Sequence, residues 1–553
     1  MPKNVIIEKT DSEKLITELN FRNEIIDERL EDEAVSSVKM MKILPETVVD
    51  KRTLQVVEIH NLFKAVDHTE TFVGAAHLAH SLMNPSESIE LVYAKQDAFC
   101  ELASHVRLQD AIHDFLVEFH KGEGHIFKFL NAHMHPLTAY GDYKRTMAAI
   151  ERMMALVKKI PLPETIYLDS MVKSILSFNG SITREMVQGP VYRTLGGLRS
   201  KSDKTIFHPG LRFYPSRLGI GFIVPAIPTI FFGAAFLFGF MNQGTAMLML
   251  LLSGVLSIMG GLYGVLLKPL IDYETAILPV REKLIESNRF GSAIEAVAAI
   301  DELLSFVRFA EELPHATTMP EITNESSHFF VARNLRNPIS AKIDANFVPN
   351  DVELTGARMS FITGPNSGGK TTYCKTIVQN QILAQIGAPV VASAAMINMA
   401  DKITYQAPAF DTLSDDEGRF GTELKTTRDI FYSVTPRSLT ILDEIAEGTT
   451  TNEKITLSVD IMKGFYAIAN NTILVTHSHE LVDSFKAQGQ GQYLNVEFKS
   501  GNPTHKMVPG ISRDSHAVRV AEKIGFSPAD IQKYLKEQGY IAEDTPPQEQ
   551  GTI

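Results

Sequence analysis

Residues 361–372 read FITGPNSGGKTT. An apolar run leads into Gly364, and the positions of Gly364, Gly369, Lys370 and Thr371 fit the pattern G-x-x-x-x-G-K-[ST] of a phosphate-binding loop. Glycines let backbone N–H groups close around phosphate oxygens, the lysine neutralises charge on the β- and γ-phosphates, and the threonine hydroxyl suits a Mg²⁺ ligand. The alternative is a glycine-rich turn with a chance lysine. The predicted nucleotide-binding residues are Gly364, Pro365, Asn366, Ser367, Gly368, Gly369, Lys370, Thr371 and Thr372.

Two apolar runs further along the chain also end in polar residues. The run 438–444, SLTILDE, has the Walker B form, in which Asp443 belongs to the Mg²⁺ shell and Glu444 orients the attacking water. The run 472–475 is followed by His477, which at a strand end beside a phosphate site can hydrogen-bond the γ-phosphate or its water. Three motifs in this order predict an ATPase. Its catalytic residues are Lys370, Glu444 and His477, and its Mg²⁺ ligands are Thr371 and Asp443.

Longer runs surround these motifs: FITGPNSGGKTTYCKTIVQNQILAQIGAPVVA, LDEIAEGTTTNE and LVTHSHEL, with FVPNDVEL before them and PGISRDSHAVRVAEKIGF after them. Together they resemble the ATPase domain of the MutS mismatch-repair family, a relative of the ABC ATPases. The resemblance implies an α/β P-loop ATPase domain of ABC type over residues 331–540, which uses ATP and Mg²⁺ and ends in a helical arm.

The resemblance also implies a homodimer with composite nucleotide sites. Residues 411–424, DTLSDDEGRFGTEL, occupy the position of the family's signature loop, which reaches the partner's γ-phosphate. Phe420 and Glu423 fit this loop, but Gly418 stands where a serine is expected. Glu447 likewise replaces a usual basic residue, and the sequence DSHAVRVAEKIGFSPADIQKYL resembles the helical dimerisation arm.

Length and composition limit the remaining possibilities. A chain of 553 residues is expected to form several domains, and its net charge of −12 excludes a nucleic-acid-binding coat over the whole chain, although a local basic surface stays open. Cys100 and Cys374 have no metal-ligand spacing around them, which is typical of a reducing compartment. The first residues, MPKNVIIEKTDSEK, lack the features of a signal peptide, so we expect a cytosolic start. Residues 1–45 are predicted to be a charged extension and residues 541–553 a disordered tail.

Helical periodicity begins near Val49. The runs VDKRTLQVVEI and TETFVGAAHLAHSLMNPSESIELVYAKQDAF resemble the helical core of MutS, so residues 46–217 are predicted to be a core and lever domain and residues 268–330 the returning lever helices. A generic helical bundle is the alternative. No mismatch-recognition domain fits ahead of Val49, and residues 1–48 contain no F-x-E wedge, so mismatch recognition is not expected.

Residues 218–267 contain no charged residue, although charges flank them on both sides. Since about 20 apolar residues cross a bilayer, this length predicts a transmembrane hairpin with helices at 219–241 and 246–267. A buried hairpin in a soluble core is the alternative. In the MutS family, the DNA clamp is inserted between the outgoing and returning lever helices, and the resemblance implies that the hairpin occupies that position here. The basic residues outside it place both termini in the cytosol and favour contact with anionic lipid over DNA: Arg193, Arg199, Lys201, Lys204, Arg212, Arg217 and Lys268.

Two classes of function remain open. In the first, the chain is a membrane-anchored MutS-type ATPase coupled to DNA binding in a mismatch-repair-related process, with little preference for mismatches. In the second, it is an ATP-driven switch that acts on a membrane or protein partner without DNA. An ABC transporter is disfavoured because two spans are too few and no LSGGQ-like signature is present.

Overall fold

The computed structural model describes residues 48–131, 138–203, 210–215, 220–365, 368–408, 418–445, 451–499, 502–512 and 524–540. Its described residues divide into two compact units. The helical unit comprises Ile59–Leu313 with Leu383–Pro389, and the sheet unit comprises Glu46–Glu58, Pro314–Ile382 and Val390–Ile553. The predicted N-terminal extension, residues 1–45, and the predicted tail, residues 541–553, lie outside the described residues.

The helical unit contains twelve α-helices and one small sheet among its described residues. The helices are α2 (Ile59–Val66), α3 (Phe72–Met83), α4 (Ile89–Ser104), α5 (Val106–Asn131), α6 (Ala139–Leu156), α7 (Ile166–Ser177), α8 (Ile182–Gln188), α9 (Ile220–Leu237), α10 (Gln243–Leu262), α11 (Lys268–Asp272), α12 (Leu278–Ile285) and α13 (Asn288–Glu312). The strands are β1 (Tyr192–Thr194), β2 (Gly197–Arg199) and β3 (Leu211–Arg212), in the antiparallel order β2-β1-β3.

Helix α13 forms the centre of the helical unit and packs against α3, α4 and α7. Its small residues permit close approach, and a Cβ at Gly74 of α3 would lie 2.1 Å from Asp301 Oδ2. Asp301 in turn accepts hydrogen bonds from the Thr71 N–H at 2.8 Å and from the Glu70 N–H at 3.0 Å. The buried side chain of Asp301 on α13 therefore accepts hydrogen bonds from the N–H groups just before α3.

Helices α10, α11 and α12 follow one another through two π-helical segments, Tyr263–Leu267 and Tyr273–Ile277. Pro269 and Pro279 are each the second residue after one of these segments. A proline inside a regular α-helix removes one hydrogen bond and clashes with the carbonyl four residues earlier. The wider π turn accommodates that ring, so the helical path continues from the hairpin to Ile285.

The sheet unit contains two sheets. Its helices are α1 (Lys51–Val56), α14 (Pro338–Ile343), α15 (Lys370–Gln385, whose last residues are grouped with the helical unit), α16 (Gly418–Ser433), α17 (Thr451–Ile468), α18 (His479–Ala487) and α19 (Pro528–Glu537). Its strands are β4 (Glu321–Thr323), β5 (Phe330–Leu335), β6 (Asn350–Leu354), β7 (Met359–Thr363), β8 (Ala394–Asn398), β9 (Ile403–Gln406), β10 (Leu439–Asp443), β11 (Asn471–Val475), β12 (Gln492–Lys499) and β13 (Asn502–Pro509).

The larger sheet has the order β13-β12-β7-β11-β10-β9, and only its edge strand β13 pairs antiparallel within the described residues. Every residue of β7, β10 and β11 is buried, as expected for parallel strands covered on both faces. The second sheet has the order β4-β8-β5-β6. This arrangement confirms the predicted combination of a helical N-terminal part with an α/β C-terminal part.

The observed boundaries differ from the predicted ones at two places. Residues 48–58 and 314–330, which the sequence assigns to the helical domains, group with the sheet unit. The reason is local pairing, because Val49 forms a bridge with Ile403 and the Thr53 hydroxyl accepts a hydrogen bond from the Tyr405 N–H at 2.7 Å.

The hairpin helices are also shorter than predicted, at Ile220–Leu237 and Gln243–Leu262. Among the helical residues with described side chains, Gln243–Leu262 is the one helix long and apolar enough to cross a membrane, with a mean hydropathy of 2.0. The neighbouring apolar stretch, Ala226–Leu237, is shorter. The helical hairpin is thus present, and its insertion into a bilayer stays a prediction.

Candidate nucleotide site

Three neighbouring parallel strands bring the predicted site residues to one edge of the large sheet. Val475 of β11 is paired with Ile362 of β7 on one side and with Asp443 of β10 on the other. The residues after these strands, Gly364, Glu444 and Thr476, therefore follow the same edge. Carboxyl ends of parallel strands are the usual location of ligand sites in open α/β sheets.

The loop after β7 requires its glycines. Gly364 and Gly369 have φ angles of +123° and +89°, which residues with a Cβ rarely adopt. A Cβ at Gly368 would lie 2.5 Å from Val496 Cγ2 of β12. The loop is therefore closely packed against the neighbouring strand. Asn366 and Ser367, which were predicted to bind nucleotide, lie outside the described residues.

Lys370 is the first residue of α15 and its side chain turns back over the loop. Its Nζ donates to the Gly364 carbonyl at 2.6 Å, and the residue is 3% exposed. Burial lowers the pKa of Lys370, and the carboxylates of Asp443 and Glu444 oppose that change. An ammonium group held inside a loop of backbone donors is suited to bind phosphate oxygens.

Thr371 and Asp443 lie together, since the Thr371 hydroxyl donates to Asp443 Oδ2 at 3.1 Å. Burial raises the pKa of Asp443, the hydrogen bond from Thr371 opposes this, and the Glu444 carboxylate adds to the rise. A hydroxyl and a carboxylate are hard oxygen ligands of the kind that Mg²⁺ prefers when phosphates and waters complete its shell. These two side chains fit the predicted metal site.

Glu444 and His477 also lie together. Glu444 has a φ of +60°, unusual for a residue with a side chain, and its N–H donates to the Val475 carbonyl at 2.9 Å. His477 Nε2 lies 3.4 Å from Glu444 Oε1. Burial lowers the pKa of His477, and Lys370 lowers it further. A neutral imidazole can donate one hydrogen bond without bringing a second cation to the site.

The structure describes only part of residues 411–424, the loop predicted to reach the γ-phosphate bound by the partner. Residues 411–417 lie outside the described residues, and so does Glu447. Gly418 is the first residue of α16, and Glu423 on the same helix is 3% exposed. The Glu423 carbonyl accepts from the side chain of Gln406, at the end of β9, at 3.4 Å.

A cavity of about 540 Å³ adjoins the phosphate loop, and the sequence motifs did not indicate all of it. His505 of β13 reaches the loop with Nδ1 3.4 Å from the Gly368 carbonyl. Phe347 belongs to the run FVPNDVEL, whose sequence indicates a family resemblance but no role in a site. No motif marks His505, because only the pairing of β13 with β12 brings it to the phosphate loop. The residues that line this cavity include Phe347, Asn350, Gly369, Tyr373 and His505.

The described loop, the buried lysine, the hydroxyl–carboxylate pair and the glutamate–histidine pair have the arrangement expected of a P-loop ATPase site. Comparison with known proteins agrees with this class. The family model of MutS domain V matches residues 360–538. These residues include every predicted catalytic and nucleotide-binding position.

Individual relatives point to the same family. The chain is 34% identical over 251 residues to the DNA mismatch repair protein MutS of Myxococcus xanthus, covering 43% of this chain and 28% of that protein. It is 30% identical over 298 residues to MutS of Haloquadratum walsbyi, covering 51% and 31%. It is 29% identical over 264 residues to MutS 2 of Halobacterium salinarum, covering 46% and 30%. The chain thus spans about a third of the length of these relatives, and the similarity supports a MutS-like ATPase domain.

Proposed function

We propose that the sheet unit binds ATP with Mg²⁺ and hydrolyses it. The observation that carries this proposal is the hydrogen bond between Thr371, at the start of α15, and Asp443, at the end of β10, beside the Glu444–His477 pair that follows β10 and β11. In this mechanism Lys370 and the loop N–H groups hold the phosphates, and Thr371 and Asp443 hold the metal. Mg²⁺ neutralises charge that develops on the phosphates.

Hydrolysis requires a water placed in line with the γ-phosphate, and Glu444 is the residue proposed to orient it. His477, adjacent to the Glu444 carboxylate, is proposed to hydrogen-bond the γ-phosphate or that water. The cavity beside Gly369 is suited to the nucleoside, because Phe347, Tyr373 and His505 offer ring surfaces for a purine.

The test compares substitutions on the two sides of the site. Lys370→Ala should abolish nucleotide binding, whereas Glu444→Gln should bind ATP normally and lower the hydrolysis rate by about 10²-fold or more. His477→Ala should slow turnover with less effect on binding. Lys375→Ala is the matched control, since Lys375 lies on the same helix but pairs with Glu58 at 2.7 Å. Normal hydrolysis by the Glu444→Gln protein would refute this assignment.

We propose further that the active ATPase is a homodimer. The described part of the C-terminal arm exposes large apolar side chains, including Phe526 at 64% and Ile524 at 70%, which favours a contact with another chain. ATP should tighten the dimer because the partner would contact each γ-phosphate. Sedimentation of the Glu444→Gln protein with ATP tests this, and a monomer at high concentration contradicts it.

Membrane anchoring by residues 218–267 is part of the same proposal, with the ATPase in the cytosol. Most large side chains of α10 are exposed, and a face of small residues, Ala246, Ser253 and Gly261, is buried. Thr229 and Ser257 hydrogen-bond each other across the hairpin at 2.5 Å, so these hydroxyls need no water. The full-length protein should pellet with membranes after lysis and resist high salt, and it should be released by detergent.

We propose that ATP binding is coupled to DNA binding, in line with the DNA mismatch repair proteins that the domain resembles. Binding should rely on phosphate contacts, fall steeply with salt and prefer a mismatched duplex by less than about tenfold, or 1.4 kcal/mol. Titration of the detergent-solubilised protein across salt, with and without ATP, measures this.

The second candidate is an ATP-driven switch that acts on a membrane or protein partner. The observation that favours it is the helical path from the hairpin to Ile285, which joins an apolar element directly to the core of the helical unit. Absence of DNA binding at low salt, with normal ATP hydrolysis, would support this function and refute the first.

A further inference from the structure

The small sheet β1–β3 precedes the hairpin in sequence and is attached to the helix that continues from it. Arg193 of β1 forms an ion pair with Asp272 of α11, and β2 contacts the segment Tyr273–Ile277 and α12. Along the helical path from α10 to α12, residues with lower numbers lie closer to the hairpin. Because the strand order is β2-β1-β3, β3 lies on the opposite side of β1 from β2, the strand that contacts the part of the helix further from the hairpin.

The edge strand β3 and the residues after it carry an unusual combination of side chains. Leu211 is 79% exposed and Tyr214 is 60% exposed. The Arg212 guanidinium lies 4.6 Å from the centroid of the Tyr214 ring. In the part of the chain that the structure describes, no carboxylate lies within ion-pair distance of Arg212. We call Leu211, Arg212 and Tyr214 the β3 edge surface.

The nearby basic residues are engaged differently. Lys268 Nζ donates to Asp272 at 2.8 Å, and Asp272 also pairs with Arg193. Arg199 lies 4.0 Å from Asp203. Arg193 joins the sheet to the helix, while Lys268 and Arg199 each pair with a carboxylate four residues further along the chain. Arg212 instead presents its charge beside an exposed aromatic ring. Leucine, tyrosine and arginine in one exposed group are typical of the region where protein meets lipid headgroups.

We propose that the β3 edge surface is an interfacial membrane contact, in which Leu211 and Tyr214 enter the headgroup layer and Arg212 binds the phosphate of an anionic phospholipid. This inference rests on the proposed insertion of the hairpin, because the same bilayer must lie beside its base. The lipid surface is favoured over a second copy of the chain by the charge of Arg212 and by the closeness in sequence of Tyr214 to the hairpin, whose first helix begins at Ile220.

Tryptophan fluorescence gives a direct test, because the chain has no tryptophan. Three full-length variants are reconstituted into phosphatidylcholine vesicles that contain phosphatidylglycerol: Leu211→Trp, Leu251→Trp and Leu162→Trp. Leu251 is an exposed residue of α10 and Leu162 an exposed residue of the helical unit outside the hairpin. Lipids with bromine near the headgroup should quench Leu211→Trp, and lipids with deep bromine should quench Leu251→Trp. Neither should quench Leu162→Trp.

The outcomes separate the two proposals. If only Leu251→Trp is quenched, the hairpin is inserted and the interfacial contact is refuted. If neither Leu251→Trp nor Leu211→Trp is quenched, membrane insertion fails as well. A blue shift of Leu211→Trp that depends on protein concentration and not on bromine would assign the surface to a second copy of the chain and overturn the proposal.

The role of Arg212 is tested in the Leu211→Trp background. Adding phosphatidylglycerol should increase quenching by shallow bromine, and Arg212→Glu should abolish that increase. Arg107→Glu is the matched control, since Arg107 is an exposed arginine of α5 in the same unit. An increase that survives Arg212→Glu would refute the binding of lipid phosphate.

Discussion

Two regions of this protein are equally rich in apolar residues but place them in opposite surroundings. In the sheet unit, β7, β10 and β11 are buried completely beneath helices of the same unit. In the helical unit, only 17% of the most apolar window of α10 is buried. Burying apolar surface stabilises a protein by about 25 cal/mol per Å². The strands obtain this stabilisation from their own unit, whereas the hairpin requires another apolar environment to obtain it.

The largest effect is expected from removing the hairpin. Replacing residues 218–267 with a short polar linker should move the protein from the membrane fraction to the soluble fraction. ATP hydrolysis should remain, because Lys370, Asp443 and Glu444 lie outside the deletion. Fractionation and an ATPase assay measure both properties. If the full-length protein is soluble without detergent, the exposed apolar residues of α10 do not require a membrane, and the proposed difference between the two regions is refuted.

The second prediction compares the loss of stability when one phenylalanine from each region is replaced by alanine. Phe361 of β7 is fully buried, with its ring centroid 5.5 Å from that of Tyr493 and 5.2 Å from that of Phe485. Phe361→Ala should lower the free energy of unfolding of the sheet unit by about 3–5 kcal/mol. Phe231 of α9 is 63% exposed, so Phe231→Ala in detergent should change stability little. Equal losses in denaturant titrations would show that the hairpin packs like a protein core.

A smaller effect follows from buried titratable groups that respond to pH in opposite directions. Burial lowers the pKa of His328 in the sheet unit to about 4, while hydrogen bonding to Gln381 opposes this. The unfolded chain binds a proton near the ordinary pKa of about 6.5, so acid favours unfolding between these values. The sheet unit should gain stability, up to about 3 kcal/mol, as the pH rises from about 4 to about 6.5. His328→Gln should weaken this dependence.

Asp301 of the helical unit should behave in the opposite way. Burial raises its pKa to about 7, the hydrogen bonds from Thr71 and Glu70 oppose this, and Glu123 adds to the rise. The folded unit therefore holds a proton that the unfolded chain has lost, and stability should fall as the pH rises from about 4 to about 7. Hydrogen exchange of peptides from α3 and β11, corrected for intrinsic rates, measures each unit separately. The prediction is contradicted if the stability of both units changes with pH in the same direction. It is also contradicted if the pH dependence of the stability of α3 is unchanged by Asp301→Asn.

The smallest effect concerns the hydroxyl pair inside the hairpin. Thr229→Val should remove the hydrogen bond to Ser257 and lower hairpin stability by about 0.6 kcal/mol, the average for such bonds between membrane helices. Ser257→Ala should have a similar effect, and the double variant should lose little more. Thermal unfolding in detergent micelles gives these values. Fully additive losses would show that the two hydroxyls act independently.

The grouping of the candidate site residues was largely predictable because these residues lie in short motifs. Gly364, Lys370 and Thr371 are close in sequence, so one loop and one helix start are sufficient to place them. Asp443 and His477 are distant, but each follows an apolar run that ends at the same sheet edge. His505 could not be found this way, since β13 brings it to the loop only through antiparallel pairing with β12.

The sequence by itself determined the resemblance of the C-terminal part to a MutS-type ATPase domain, the candidate residues for phosphate and Mg²⁺, and an uncharged hairpin between two helical regions. The tertiary structure alone decided that residues 48–58 join the sheet unit, that Glu444 adopts a positive φ, and that Asp272 pairs with Arg193 and Lys268. It also left Arg212 beside Tyr214 at an exposed edge. Motifs report chemistry between neighbours in the chain, whereas these features depend on burial and on pairs of groups that only folding brings together.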